Sequence, residues 1–401
     1  MLAPRAGTGT EAIAMGKTEP TLAATQGGAP PTSEEFAERF LDSWLGAIDM
    51  LAVHVGDRLG WYRALAEAGP LTSAGLAAAT GTAERYAREW LEQQAASGIL
   101  VVDDPGTAPP HDGDEPSSVS MQEAGRARTY ALPDAHADAL TDPSSLSYLA
   151  PLARFVGAIG ARLPQLLDAY RTGGGVSWDR FGDDARQAQA DVNRPLFTQQ
   201  LAPALATLPA VHELLSRPGA RIVDVGCGFG WSTLALARAY PDAEVHGLDV
   251  DRPSVEAARA AATEAGLDGR VTIHLADAAE LAAGQPFDAA FAFECVHDLP
   301  RPVAVLDAVR RAVRPGGVVV VMDEAVGERF SAPADDVDRL MYGYSLFVCL
   351  PDGLATSPSV GTGTVMRPAT LRRYAREAGF SDVEVLPVDD FGFFRFYRLL
   401  M

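Results

Sequence analysis

The sequence predicts an α/β protein: a parallel sheet with helices on both faces, preceded by a mainly helical winged-helix unit. Three observations predict it. After Pro218-Gly219, short apolar strands alternate with helix-length segments. Between Glu34 and Val102, apolar residues recur at three- and four-residue steps. The 401 residues, 47% hydrophobic and 21% charged, are globular in composition and long enough for two or three domains.

Residues 1–33, rich in Ala, Gly, Thr and Pro, are expected to form a disordered leader, because they bury too little apolar surface to offset ordering entropy. Phe36, Phe40, Leu41, Trp44, Leu45 and Ile48 mark one face of an amphipathic helix. Leu59, Tyr62 and Leu65 fall on a second helix, stopped by the breaker pair Gly69-Pro70. A short helix from Thr72, a Thr80-Gly81-Thr82 turn and a helix over 83–97 follow, then the strand Ile99–Val102. Residues 103–128 are expected as a mobile loop, and Thr129–Leu132 as the returning strand, which completes a winged-helix outline. The expected units are 34–142 for this domain, 143–217 for a helical connector and 218–401 for the α/β domain.

In the last unit the strands are Ile222–Val225, Val245–Leu248, Val271–Leu275, Phe287–Phe293 and Val318–Met322, separated by helices over 231–240, 253–266 and up to Arg314. Val383–Leu386 and Phe393–Leu399 are expected to close the sheet as an antiparallel pair.

The formal charge of −20 repels phosphate backbones, which argues against nucleic acid as a partner. The helix over 83–97 has Arg85 and Arg88 against Glu84, Glu89 and Glu92, the wrong sign for a recognition helix. Cys227, Cys295 and Cys349 have no CxxC spacing, so they fit a reducing cytoplasm better than a disulfide framework. No apolar run approaches the roughly 18 residues of a membrane span, and no secretory signal pattern opens the chain. The seven histidines never stand at i, i+4, so no helical zinc site is expected and no metal is assigned.

The sharpest motif is Val223-Asp224-Val225-Gly226-Cys227-Gly228-Phe229-Gly230, where a strand meets a helix. Glycines at 226, 228 and 230 allow a tight turn and close approach of a ligand, with the helix N-terminus behind them. Asp249 ends the next strand, where a carboxylate can accept both hydroxyls of a ribose. Asp277 follows the third strand, placed to accept from an adenine amine. Three acids at the ends of successive strands form one constellation.

On these residues, together with Arg314-Pro315-Gly316-Gly317, the chain over about 190–400 resembles the class I S-adenosylmethionine-dependent methyltransferases. The resemblance implies a Rossmann-like doubly wound sheet of seven strands, the last antiparallel. It also implies S-adenosylmethionine as cofactor, contacted by Asp224, Gly226, Cys227, Gly228, Gly230, Asp249, Val250, Asp277, Ala278 and Phe293. The stretches Gly60–Leu65 and Ala83–Leu91 look like the winged-helix dimerisation domain of small-molecule methyltransferases, which implies a homodimer.

Glu294-Cys295-Val296-His297-Asp298-Leu299-Pro300 follows the fourth strand and faces the crevice of such folds. Family members place a His-Asp pair here, the His removing the acceptor's hydroxyl proton. That role suits a side chain whose free pKa is about 6.5. Packing of the loop is the alternative role for His297, and Leu299 stands where the family has tryptophan. Glu294 is a candidate contact for the acceptor or the cofactor's amino group. Residues 327–364 form a long insertion expected as a lid, with Tyr342, Tyr344 and Phe347 toward the acceptor.

The expected function is methyl transfer from S-adenosylmethionine to a small-molecule acceptor, with a hydroxyl of secondary metabolism as a candidate. A cofactor-sensing winged-helix regulator and a cofactor-retaining enzyme of rearrangement are the alternatives.

Overall fold

The computed structural model describes residues 32–104, 125–281 and 284–401. The expected leader, except its last residues, and most of the expected 103–128 loop lie outside them. The chain divides into two compact units at Ala158/Ile159, within the segment expected as a helical connector. No described helix is long and apolar enough to cross a membrane.

The first unit opens with helix Ser33–Arg58, started by a capping box. Thr32 Oγ1 accepts the Glu35 amide at 3.2 Å, and Glu35 Oε2 accepts the Thr32 amide at 2.7 Å. Helices Trp61–Ala68, Ser73–Thr80 and Glu84–Ala96 follow. Leu59 caps the first helix instead of joining the second, because Gly60 takes a left-handed φ of 71° between them. Trp61 and Tyr62 pack their rings on Trp90 at 4.8 and 5.0 Å, with Leu65, Leu76 and Leu91 buried around them. Strand β1 (Val101–Asp103) pairs antiparallel with β2 (Thr129–Ala131), forming the wing. On helix Glu84–Ala96, Arg85 pairs with Glu89 and Arg88 with Glu84, so its arginines are already neutralised. The stripe Phe36, Phe40, Leu41, Trp44, Leu45 and Ile48 forms as expected but stays exposed in the single chain, Phe40 at 65%.

The second unit brings helices Leu163–Thr172, Trp178–Ala206 and Pro209–Leu215, then the sheet. Its strands are β3 (Arg221–Val225), β4 (Glu244–Asp249), β5 (Val271–Leu275), β6 (Phe287–Phe293), β7 (Val313–Glu324), β8 (Asp382–Val385) and β9 (Phe394–Leu400). The order is β5-β4-β3-β6-β7-β9-β8, parallel except that β9 runs antiparallel to both neighbours. Seven strands with the last reversed is the expected topology. The helix before β7 is Pro302–Ala312, shorter than expected, because Val313 already pairs with Phe287.

Both sheet faces are apolar, as a sheet covered twice requires. Ile222, Val245, Phe291 and Val320 pack toward helices Trp178–Ala206 and Trp231–Ala239. Val223, Leu248, Val319 and Val321 pack toward Pro302–Ala312 and Pro368–Glu377. The strand order reverses between β3 and β6, and crevices at the carboxyl ends of such a switch point are where doubly wound sheets bind ligands.

Candidate active site

At this switch point the glycine loop leaves β3. Gly226 has φ 71°, and a Cβ there would stand 2.8 Å from Cys295 Cβ, so only glycine fits the turn. Gly228 also has positive φ, and a Cβ there would meet nothing within 4 Å: its edge faces open space. Helix Trp231–Ala239 starts behind Gly230.

The loop amides are committed inward rather than offered to a ligand. Gly226 and Cys227 both donate to the Leu248 carbonyl, at 2.8 and 3.0 Å, and Gly228 donates to Asp249 Oδ2 at 2.8 Å. Asp249 Oδ1 accepts the Asp251 amide at 2.8 Å. Asp249 therefore ties the end of β4 to the loop, and burial pushes its carboxyl up from the ordinary value. Val250 beside it is 70% exposed.

Three of the residues expected at the cofactor are packed into the fold. Asp224 is wholly buried, and its Oδ2 accepts the hydroxyls of Ser232 and Thr233, both at 2.6 Å. It fixes the helix start to the strand. Burial pushes it up to about 6 in spite of those two bonds, and its Oδ1 has no partner. The Cys227 side chain is buried against Gly247, where burial holds the thiol well above its usual range. Phe293 is a core residue, its ring 5.6 Å from Phe197 and 5.3 Å from Phe291. For Asp224 and Phe293 strand alternation turns the side chain into the packing, whereas Cys227 lies in the loop beyond β3.

Asp277 follows β5 as expected but is engaged. Its Oδ1 accepts the Ala279 amide at 2.8 Å and its Oδ2 accepts Arg301 Nη2 at 3.3 Å, with Ala278 buried in the short helical turn it caps.

The loop after β6 carries the chemistry. Glu294 has φ 52°, a left-handed backbone that a side chain rarely adopts. Its amide donates to Met322 O at 2.8 Å. Its Oε2 accepts Gln189 Nε2 at 3.2 Å and Asn193 Nδ2 at 3.1 Å, while buried Oε1 has no partner. Burial, then the charge of Glu324, pushes it up to about 8. Gln189 and Asn193 escaped sequence reasoning: they lie one turn apart on a helix more than 100 residues upstream of Glu294.

His297 is 3% exposed. Its Nδ1 lies 2.8 Å from Asp323 Oδ1 and 3.1 Å from Glu324 Oε2, and its Nε2 lies 3.3 Å from Asp298 Oδ1. Burial alone would pull the imidazolium down, but Asp298, Glu324 and Asp323 outweigh it and hold His297 well above its ordinary value. The parallel register Phe293↔Met322 brings the two strand ends level and makes these contacts. The only sequence signal was two acids closing an apolar run, Val318–Met322 followed by Asp323-Glu324.

The 327–364 insertion folds as helix Asp336–Tyr344, a wider turn Ser345–Cys349 and helix Leu350–Ala355. It is docked: Val176 N donates to Pro351 O at 2.9 Å and Trp178 N to Asp352 Oδ1 at 2.7 Å. Tyr344 is the lid residue beside the carboxylates; burial first, then the charges of Glu294 and Glu324 among its neighbours, push its phenol up. Phe347 is half-buried. Tyr342 is exposed and engaged with Arg367, 3.1 Å from its hydroxyl, and edge-on to Phe330.

Comparison with known proteins agrees with this fold. A family model described as a methyltransferase domain matches residues 222–317, and an Rv2258c-like winged HTH domain model matches 46–108. An O-methyltransferase of Pyrenophora dematioidea is 31% identical over 134 residues, 33% of this chain and 50% of that protein. The chain thus spans about half the length of that relative. The solved structure of human N-acetylserotonin methyltransferase in complex with SAM has a TM-score of 0.64 at 18% identity, covering 92% of this chain and 99% of that one. A ubiquinone biosynthesis O-methyltransferase of Methylococcus capsulatus is 32% identical over 188 residues, 44% of this chain and 72% of the relative. With a relative 32% identical and covered to 72%, and a family model that spans the glycine loop and His297, the chain belongs to the S-adenosylmethionine-dependent methyltransferase family.

Proposed function

We propose that the protein transfers the methyl group of S-adenosylmethionine to a hydroxyl of a small molecule, with His297 as general base. The observation that carries this reading is the His297–Asp323 contact at 2.8 Å. A carboxylate accepting Nδ1–H fixes the tautomer, leaves Nε2 as the basic position and stabilises the imidazolium formed on proton uptake. Nε2 faces Asp298 Oδ1 at 3.3 Å, with Cys349 in the same cluster, so the acceptor hydroxyl would enter beside these two side chains.

The residues at the switch point fit the cofactor. The open edge at Gly228 is a ledge that any Cβ would fill. Asp224 Oδ1 is a buried acceptor without a partner below the glycine loop, suited to the cofactor's ammonium. Val250 is an exposed apolar side chain suited to a base ring. Asp249 would hold the ribose, while Asp277 and Ala278 would border the adenine. Bound there, the cofactor supplies an activated methyl on a positively charged sulfur. The chain aligns the acceptor hydroxyl and removes its proton.

Residues 327–364 would act as the lid, with Tyr344 and Phe347 toward the acceptor. Tyr342, which accepts from Arg367 at 3.1 Å, would reach the acceptor only by leaving that contact. The N-terminal unit would be the dimerisation domain, because the apolar face of helix Ser33–Arg58 needs a cover and a second copy supplies a matching face. Three free thiols favour a reducing cytoplasm as the place of work.

The test is transfer of labelled methyl from S-adenosylmethionine to hydroxylated acceptors, with S-adenosylhomocysteine binding followed by calorimetry. His297→Ala should lower kcat by about 10²-fold or more at unchanged S-adenosylhomocysteine affinity. An unchanged kcat would refute the base, and no binding of S-adenosylhomocysteine by the wild type would refute the function.

A further inference from the structure

We propose that the acceptor carries a positively charged amine besides the hydroxyl that is methylated, and that Glu294, with the carboxylates behind it, recognises this ammonium. This inference rests on the methyl-transfer reading and adds the substrate class to it.

Four carboxylates, Glu294, Asp298, Asp323 and Glu324, surround one imidazole. Among the described residues, no arginine or lysine forms an ion pair with any of the four. The donors run short as well. Nδ1 of His297 carries at most one hydrogen, and Asp323 Oδ1 at 2.8 Å takes it. Glu324 Oε2, 3.1 Å from the same nitrogen, is left without a hydrogen bond, as are Asp323 Oδ2 and Glu294 Oε1. Asp323 is 1% exposed and Glu324 6%, so both lie away from bulk water.

Buried acceptors in such excess are unfavourable unless a cation or protons satisfy them. Burial pushes both Glu294 and Glu324 up to about 8, which is the proton solution. An ammonium offers three N–H donors and the missing positive charge together. Glu294 is the residue built to present an acceptor. Gln189 and Asn193 hold one oxygen, and a backbone φ of 52° is retained at a residue that is not glycine. An anionic acceptor would meet four carboxyl groups with one imidazolium, His297, to offset those that ionise. A cation sharing those carboxylates also weakens the hold of His297 on its own proton, which frees Nε2 to act as a base.

The experiment compares three acceptors of one scaffold, dopamine, 4-ethylcatechol and 3,4-dihydroxyphenylacetate, with the full chain. Binding is measured by calorimetry on the S-adenosylhomocysteine complex, and turnover by labelled methyl transfer. The expected result is at least 10-fold tighter binding of dopamine than of 4-ethylcatechol, and no measurable binding of the acid. In Glu294→Gln the dopamine advantage should shrink about 10-fold. Asp298→Asn, tested in parallel, should reduce it as well and guards against one variant failing to fold. Equal binding of the three, no binding of any, preference for the acid, or an advantage unchanged in both variants overturns the proposal. So does a bound divalent metal that EDTA removes together with acceptor binding, because the cation would then be the metal. In each of these outcomes intact S-adenosylhomocysteine binding leaves the methyl-transfer reading standing, whereas its absence would sink that reading first.

Discussion

Asp249 at the end of β4 accepts the Gly228 amide through Oδ2 at 2.8 Å, so the acid expected to hold a sugar also builds the loop beside it. Its removal takes away the loop's anchor and, with it, the proposed acceptor for the ribose. Asp249→Ala should weaken S-adenosylhomocysteine binding by about 100-fold, on the order of two charge-assisted hydrogen bonds. Asp249→Asn, which keeps one acceptor oxygen, should fall between the two. Calorimetry decides, and micromolar affinity retained in the alanine variant would remove Asp249 from the site.

The carboxylates around His297 determine where its proton leaves. They hold the imidazolium above its ordinary value, so the acidic limb of the kcat/KM profile should lie above pH 6.5. A base works only when deprotonated, hence rate rises with pH through that limb. Asp323→Asn removes one negative charge beside Nδ1 and keeps a polar side chain there. The limb should move to lower pH while the plateau rate falls by about 10-fold or more from lost orientation. A limb that stays in place would show that another group titrates in it.

Much of this arrangement was legible in the sequence. The apolar runs from Ile222–Val225 to Val318–Met322 are local signals, and so are the glycines at 226, 228 and 230. Each strand, with Asp249 and Asp277 at its tip, could be placed from them. What the sequence concealed is what register decides. Asp323 reaches His297 because β6 and β7 pair Phe293 with Met322, and Gln189 reaches Glu294 across the chain. The inward turn of Asp224 follows from strand alternation, but its partners Ser232 and Thr233 belong to the next helix. The engagement of Tyr342 depends on Arg367, 25 residues further on.

The exposed stripe of helix Ser33–Arg58 bears on assembly. Phe40 at 65% and Trp44 at 58% exposure are large apolar surfaces, and a second copy would cover them. Phe40→Glu combined with Trp44→Glu should shift the chain from dimer to monomer in sedimentation equilibrium. S-adenosylhomocysteine affinity should stay within about 3-fold, because neither residue belongs to the cofactor site. A wild type that sediments as a monomer would overturn the homodimer.

Asp224 makes the fold itself sensitive to pH. Burial raises its carboxyl to about 6 in the native state, against about 3.9 in an unfolded chain. Between those values the native state binds the extra proton, so stability falls as pH rises through about 4 to 6 and levels off above. The cost of ionising it at neutral pH is on the order of 3 kcal/mol. Asp224→Asn keeps an oxygen for the Ser232 and Thr233 hydroxyls and cannot ionise. Other buried acids, Glu294 and Asp352 among them, are also raised, so the wild type alone does not isolate the effect. The difference between the two proteins does. Its Tm relative to wild type should rise by several degrees between pH 4.5 and 7.5 in thermal melts. A parallel pair of Tm curves would mean that Asp224 keeps its proton, or lacks one, throughout that range.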